Sequence, residues 1–254
     1  YAQQTLEQVR QFVIRKDLVS FPSDARPRVE ETPVYLRAGA DAFLDTPGPY
    51  DIHAREASYF ITPPELGWDT RHIEEHLRDF NTSRFPLLHV REAYPGRFVQ
   101  FLWAPKLPTK VRKLLVTNSN VRGWADYVEE LVIEEGFADD NPRYRLAQLR
   151  EALLRDCRYV VGIGLHTTGM TVQQGAERFT RECFQSQRVA DAEARRGTYE
   201  PTYSSSTAGK LMILELRKDY LSQKGGTLKQ FHDAFLSKGP LPVPLVRKLL
   251  FQEF

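Results

Sequence analysis

From Asp69 onward the chain is cut into helix-length pieces by residues that start and stop helices, and this punctuation restricts it to a mainly helical fold. Asp69 is placed as an N-cap for a helix over 70–80. Residues 84–104 form a further stretch, 109–117 a short basic segment, and 121–136 a helix with Gly136 as its stop. Asn141-Pro142 supplies a cap followed by proline at the first helical position, which opens a long helix to about His166. Gly169 closes that region, and Thr171 with Gln174 has the spacing of a capping box. Segments 204–223, 227–237 and 243–254 follow, separated by Gly225-Gly226 and Gly239-Pro240.

The first third is less regular. Residues 3–16 carry Leu6, Val9, Phe12 and Val13 at helical spacing. Residues 21–64 are rich in Pro, Gly and Asp, with 33–36 and 57–62 reading as short strands or extended segments. The expected fold class is therefore mainly α (α+β), with a small β element near residues 30–65. One domain over 1–254 is expected, with a β-containing leading region at 1–68 and a helical part at 69–254. The helices at 84–104, 121–136 and 142–166 are expected to build a cleft.

Composition narrows the function classes. A chain of 254 residues, 41% hydrophobic, can bury one sizeable core. Its 35 basic and 33 acidic residues leave a net charge of +2, so nucleic acid is not an implied partner. No apolar run approaches the roughly 20 residues of a membrane helix. No signal is visible from Tyr1 onward, and the chain reads as a fragment or processed product of a longer protein. Cys157 and Cys183 lack any CxxC or Cys/His spacing, and two buried free thiols are expected rather than a disulfide.

The chemistry-bearing stretch is Arg91-Glu92-Ala93-Tyr94-Pro95-Gly96-Arg97. It has the outline of H-E-x-x-P-G-H, in which two imidazoles hold zinc and the glutamate takes a proton from the metal-bound water. Arginine stands at both histidine positions. A guanidinium stays protonated and has no lone pair to give a metal. Pro95 and Gly96 are expected to bend the chain and bring positions 91 and 97 to one side. Read alone, these charges equally suit a solvated patch at a helix bend.

A second stretch, Gly123 to Leu131 (GWADYVEEL), places Trp124, Tyr127, Val128, Leu131 and Val132 on one helical face. Asp126, Glu130 and Glu134 fall on the opposite side. Glu129 lies at the edge of the apolar face, where a carboxylate needs a partner, a metal or water.

Together, 91–100 (REAYPGRFVQ) and 123–136 (GWADYVEELVIEEG) resemble two signature blocks of the bacterial domain-of-unknown-function 885 family, whose members resemble gluzincin-type zinc peptidases. The stretch 164–171 (GLHTTGMT) is similar to a third block, 201–217 (PTYSSSTAGKLMILELR) to a fourth, and 231–250 to the family's tail. The resemblance covers most of the chain and implies the C-terminal, motif-bearing half of a longer protein with a helical gluzincin-like fold. It implies Glu92 as general base, Glu129 as third zinc ligand and His166 as support for the reacting group. Arg91 and Arg97 occupy the ligand-histidine positions. Ser206 stands where the family usually has a tyrosine, and Tyr203 is kept but points elsewhere.

The resemblance thus implies a zinc peptidase fold from which the cofactor is expected to be lost. Arg91 and Arg97 are expected to pair with Glu92 and Glu129 in place of the dication, or to bind an anion or a peptide C-terminus. Arg217 is a candidate for a substrate carboxylate, against an internal ion pair with Glu215 or a neighbouring helix. The leading reading is a catalytically inactive homologue acting as scaffold, partner or anion- or peptide-binding protein, with an active homologous subunit as one candidate partner. One alternative is an active hydrolase using His89 with Glu92 and Glu129. The other is a purely structural interaction module. Relatives of this kind are often exported.

Overall fold

A computed structural model describes residues 1–39, 42–50, 56–65 and 67–252. The chain opens with α1 (Ala2–Arg15), whose Leu6, Val9, Phe12 and Val13 are all buried as their spacing requires. Three short strands follow: β1 (Arg28–Glu31), β2 (Ala42–Asp45) and β3 (Ser58–Ile61). They form one sheet in the order β1-β3-β2. β1 runs parallel to the central β3, with Arg28 opposite Ser58, and β2 runs antiparallel to it, with Leu44 opposite Tyr59. Tyr59 is fully buried and ties the sheet to the helices.

The remaining helices are α2 (Thr70–Asp79), α3 (Phe85–Glu92), α4 (Arg97–Trp103), α5 (Lys110–Leu114), α6 (Asn118–Glu134), α7 (Pro142–Thr167), α8 (Val172–Arg181), α9 (Gln187–Tyr199), α10 (Ser205–Lys224), α11 (Leu228–Leu236) and α12 (Val243–Phe251). The mainly α class with a small β element is thereby seen directly. The caps hold as read: Asn141 accepts from Arg143 N–H, and Thr171 with Gln174 closes a full capping box. Thr227 with Gln230 makes another. The segment expected over 243–254 is helical to Phe251, and its last two residues lie outside those described.

Three expectations about local structure are corrected. Residues 33–36 are not extended: a 3-10 helix spans Val34–Gly39, with Leu36 N–H bonded to the Pro33 carbonyl. Val34 and Tyr35 are exposed there, and strand-forming residues without a sheet to lie on have no reason to stay extended. The single stretch expected over 84–104 is two helices, α3 and α4, separated by Ala93-Tyr94-Pro95-Gly96. Cys157 and Cys183 are joined in a disulfide, with Cα atoms 6.4 Å apart, and are not free thiols. The reason is tertiary: α8 and α9 fold back on α7 around a small core of Val161, Ala176, Phe179, Ala190 and Ala194, which brings the two sulfurs together.

The main core gathers α1, β3, α3, α4, α6 and α10–α12 around Trp124, Tyr127, Phe98, Phe231 and Phe235. α6 and α10 approach most closely where Gly209 meets the first turns of α6. A Cβ on Gly209 would fall 1.8 Å from the Ser119 carbonyl oxygen, so only glycine permits this crossing. That crossing sets α6, and with it Asp126 and Glu129, at a fixed depth.

Candidate functional site

α3 ends at Glu92, where Ala93 leaves the helical region and Pro95, two residues on, has no N–H to continue the ladder; the Tyr94–Pro95 peptide is cis. The freed Pro95 carbonyl accepts from Trp124 Nε1 at 2.9 Å, which fastens the turn to α6. Gly96 lies against α3, where a Cβ would fall 1.9 Å from the Arg91 carbonyl oxygen and 2.4 Å from that of Val90. Both are backbone atoms of α3 and cannot step aside. Gly96→Ala is therefore expected to lower stability by about 1–3 kcal/mol through overpacking. Urea denaturation checks this, and an unchanged midpoint would show that the turn tolerates opening.

This turn puts the motif residues where the bend was expected to put them. Arg97 Nη1 donates to Glu92 Oε2 at 2.9 Å, and Arg91 Nε lies 3.4 Å from Glu92 Oε1. Arg91 also donates to Asp126 and lies 3.7 Å from Glu129. Arg155 of α7 completes the centre. Its Nη2 donates to Glu129 Oε1 at 2.9 Å, its Nε is 3.3 Å from Asp126, and its Nη2 is 3.6 Å from Glu151. Glu151 in turn accepts from Arg84 at 2.7 Å. Four guanidiniums (Arg84, Arg91, Arg97, Arg155) thus face four carboxylates (Glu92, Asp126, Glu129, Glu151) where α3, α4, α6 and α7 converge.

Burial makes this pairing necessary. Asp126, Glu129, Glu92 and Arg155 are all buried, and an unpaired ion there would cost several kcal/mol. Burial pushes the Asp126 carboxyl up, but Arg155 and Arg91 outweigh it and hold the group below the ordinary range. At Glu129 burial outweighs Arg155 and Arg91, and Asp126 nearby adds to it, so the carboxyl sits above the ordinary range. Burial lowers Arg155, yet Asp126, Glu129 and Glu151 more than restore it, and its guanidinium is raised. Arg97 differs. Glu92 raises it, but burial and the neighbouring Arg91 together pull it below its ordinary value.

The sequence placed Glu92, Glu129, Arg91 and Arg97 at one site, and they do meet. It placed Asp126 with Glu130 and Glu134 on a polar outer face, and this is corrected. Asp126 is only 3% exposed, because that side of α6 faces α7 and α10 rather than solvent. Glu130 pairs with Lys210 at 2.7 Å and Glu134 with Arg217 at 3.0 Å. Arg217 also lies over the Tyr127 ring at 5.4 Å, so its pairing is with α6 and away from the cluster.

His166 does not join the cluster. It stands eleven residues beyond Arg155 on α7, about 16 Å along the axis at the usual rise, and its Nε2 is bonded to the Gly197 carbonyl at 2.8 Å. Ser206 is buried beside Asp126, whose carboxyl it helps to hold down by a hydrogen bond. Tyr203 points away, toward Gly162 and Gly197. His89 is fully buried, its Nδ1 is 3.0 Å from the Tyr59 hydroxyl, and Phe85 packs against its ring. Among the described residues no three His, Cys, Asp or Glu are grouped to hold a metal ion, so His89, Glu92 and Glu129 do not converge as a ligand set. Arg155, Arg84 and Glu151 were not singled out from sequence. Their one signal is the i,i+4 spacing of Glu151 and Arg155.

Residues 1–250 match the family described as bacterial protein of unknown function (DUF885). A solved structure of a "putative lipoprotein of unknown function" from Shewanella oneidensis superposes with a TM-score of 0.89 at 30% identity, over 98% of this chain and 45% of that one. A second "putative lipoprotein", from Colwellia psychrerythraea, superposes with a TM-score of 0.79 at 22% identity, over 98% of this chain and 42% of that one. The chain therefore spans less than half the length of these solved proteins. No curated protein matches it.

Proposed function

The chain belongs to the bacterial DUF885 family, and from that premise we propose that it is a non-catalytic member, a gluzincin-like peptidase domain whose metal centre has become an ion-pair cluster and which acts by binding. The observation that carries this reading is Arg91. It occupies a ligand-histidine position of the family outline and reaches Glu92, Asp126 and Glu129 together. The residues present do not fit zinc. Guanidinium has no lone pair, and the carboxylates that the outline assigns to base and ligand duty are held by arginine. Two arginines at the two ligand positions, together with Arg155 of α7, keep Glu92, Asp126 and Glu129 neutralised without a dication.

The domain is read as one unit over 1–254. Export fits this reading. The two solved relatives are each described as a "putative lipoprotein", and a disulfide such as Cys157–Cys183 persists in oxidising compartments. No helix among the described residues is long and apolar enough to cross a membrane.

The purified protein is expected to carry no stoichiometric zinc, to keep its thermal midpoint in chelator, and to leave a quenched peptide library uncut. Elemental analysis with a melting curve checks the first two. Stoichiometric zinc that is lost on Glu129→Ala would overturn the reading and restore an enzyme.

A further inference from the structure

The short basic segment at 109–117 takes no part in the cluster, and its packing is inverted. α5 turns Lys110, Val111 and Leu114 to solvent, while Arg112 and Lys113 on its other side are half-buried. Val111 is 59% exposed and Leu114 58%, and the extended residues that follow continue outward, Leu115 at 63% and Val116 at 60%. Single exposed apolar side chains are ordinary, but four of them along one short segment mark a surface that something covers. Both ends of the segment are tied to the core. Leu107 before it is buried, and Thr117 after it donates its N–H to the Pro240 carbonyl at 2.9 Å. Thr109 caps the turn between them by accepting from Arg112 N–H at 3.3 Å.

Charge indicates what covers it. No Asp or Glu occurs between Glu92 and Asp126, whereas Lys106, Lys110, Arg112 and Lys113 all fall in this segment. The other two cations of that stretch, Arg97 and Arg122, are paired with Glu92 and Glu200. Among the described residues the four have no carboxylate at salt-bridge distance; Lys113 donates instead to the Pro105 carbonyl at 3.0 Å and lies over the Tyr50 ring. With 35 basic and 33 acidic residues in the whole chain, this excess is local.

An anionic partner is therefore called for, and the side chains between the cations say which. Single-stranded nucleic acid is held by aromatic rings on which bases stack, and these side chains are aliphatic. An amphipathic peptide lies in a groove, whose apolar residues are largely covered, whereas these stand out from the surface. A bilayer interface takes aliphatic side chains into the acyl boundary and keeps Lys and Arg among its phosphates. We propose that residues 106–116 dock the protein on an anionic membrane surface. Val111, Leu114, Leu115 and Val116 enter the boundary between headgroups and acyl chains, and Lys106, Lys110, Arg112 and Lys113 meet the phosphates around them. The contact is peripheral and needs no spanning helix. It goes beyond the binding role proposed above and does not depend on the state of the cluster.

Flotation of the purified chain with lipid vesicles tests it. Binding is expected to vesicles of phosphatidylglycerol mixed with phosphatidylcholine, weaker by about tenfold or more to phosphatidylcholine alone, and falling as salt screens the charges. Leu114→Ser with Leu115→Ser keeps all four cations, and both sites are exposed, so the fold is retained. That pair is expected to weaken binding by about tenfold or more. Lys106→Glu with Lys110→Glu keeps the aliphatic side chains and is expected to cost about fivefold or more for each cation removed. Leu115→Trp is expected to shift its emission to the blue on the mixed vesicles and to be quenched by brominated acyl chains. Absence of flotation with the mixed vesicles at low salt would overturn the proposal. So would unchanged binding by the serine pair, because charge alone would then be acting and an acidic protein or nucleic acid would serve as well. Self-association that the serine pair abolishes, without flotation, would also overturn it and give the face to a second copy. Zinc content bears on none of these outcomes, so failure here leaves the reading of the cluster standing.

Discussion

Replacing Arg155 by methionine is expected to cost about 3–5 kcal/mol of folding stability, the range seen when one partner of a buried ion pair is removed. Methionine keeps the apolar stem and removes the guanidinium, so a small packing loss adds to the loss of charge. The charge balance changes sharply. Arg155 is buried and contacts Glu129, Asp126 and Glu151, and the first two of these acids are buried with it. Only Arg91 and Arg84 remain to neutralise them. The combination Arg155→Met with Glu129→Leu is expected to recover most of the loss, because a pair replaced by apolar groups leaves no stranded charge. Urea denaturation at neutral pH measures all three variants. A loss below about 1 kcal/mol for Arg155→Met, the value of an exposed pair, would mean that water reaches the cluster and that it is not the sealed centre described here.

The contrast between what was legible and what was not follows from the same cluster. Helix ends were legible because caps are local: Asn141 accepts from the N–H two residues on, and Thr171 and Gln174 bond each other's backbone across three residues. The apolar face of α6 was legible because Trp124, Tyr127 and Leu131 repeat with the helical period. Asp126 was misplaced by the same rule, which sends every carboxylate outward and has no sign for a charge buried against another helix. Arg155 went unnoticed for a related reason, since it is one of several arginines on α7 and only its partners on α6 distinguish it. α9 escaped because its buried face is made of Ala190, Ala194 and Gly197, small residues that give little periodic signal. The disulfide depends on how α8 and α9 fold back, which spacing along the chain does not state. Arg91, Glu92 and Arg97 were found through the family outline, since physics alone had left them as a charged bend, whereas Glu129 was marked by its place at the edge of the apolar face of α6.

Lowering the pH from 7.5 to 5 is expected to remove about 4 kcal/mol of stability, about 2 kcal/mol for each of two buried histidines. His232 donates from Nδ1 to the Leu18 carbonyl at 2.6 Å and accepts at Nε2 from the Tyr127 hydroxyl, also at 2.6 Å. Burial, opposed in part by the Leu18 carbonyl and reinforced by Arg217, lowers its pKa from 6.5 to about 4. His89 is lowered from 6.5 to about 3 by burial. Both rings are therefore neutral in the folded protein at pH 5, whereas in the unfolded chain both are mostly charged. The unfolded state binds more protons below pH 6.5, so stability is complete above that value and falls as the pH drops toward the folded pKa values. The cluster carboxylates act lower. Asp126 and Glu151, held below 3.8 and 4.5 respectively, withdraw their contribution only in stronger acid. Glu129, raised by burial above its ordinary range, binds its proton more readily in the folded chain than in the unfolded one and so works in the opposite sense to the histidines. Denaturation curves at closely spaced pH values read the proton difference directly, as a slope approaching two protons between pH 5 and 6. A slope near zero would mean that His89 and His232 are solvated. The buried Nε2 of His89 would then be open to water and to metal, and the atypical-ligand hydrolase would return as a reading of this centre.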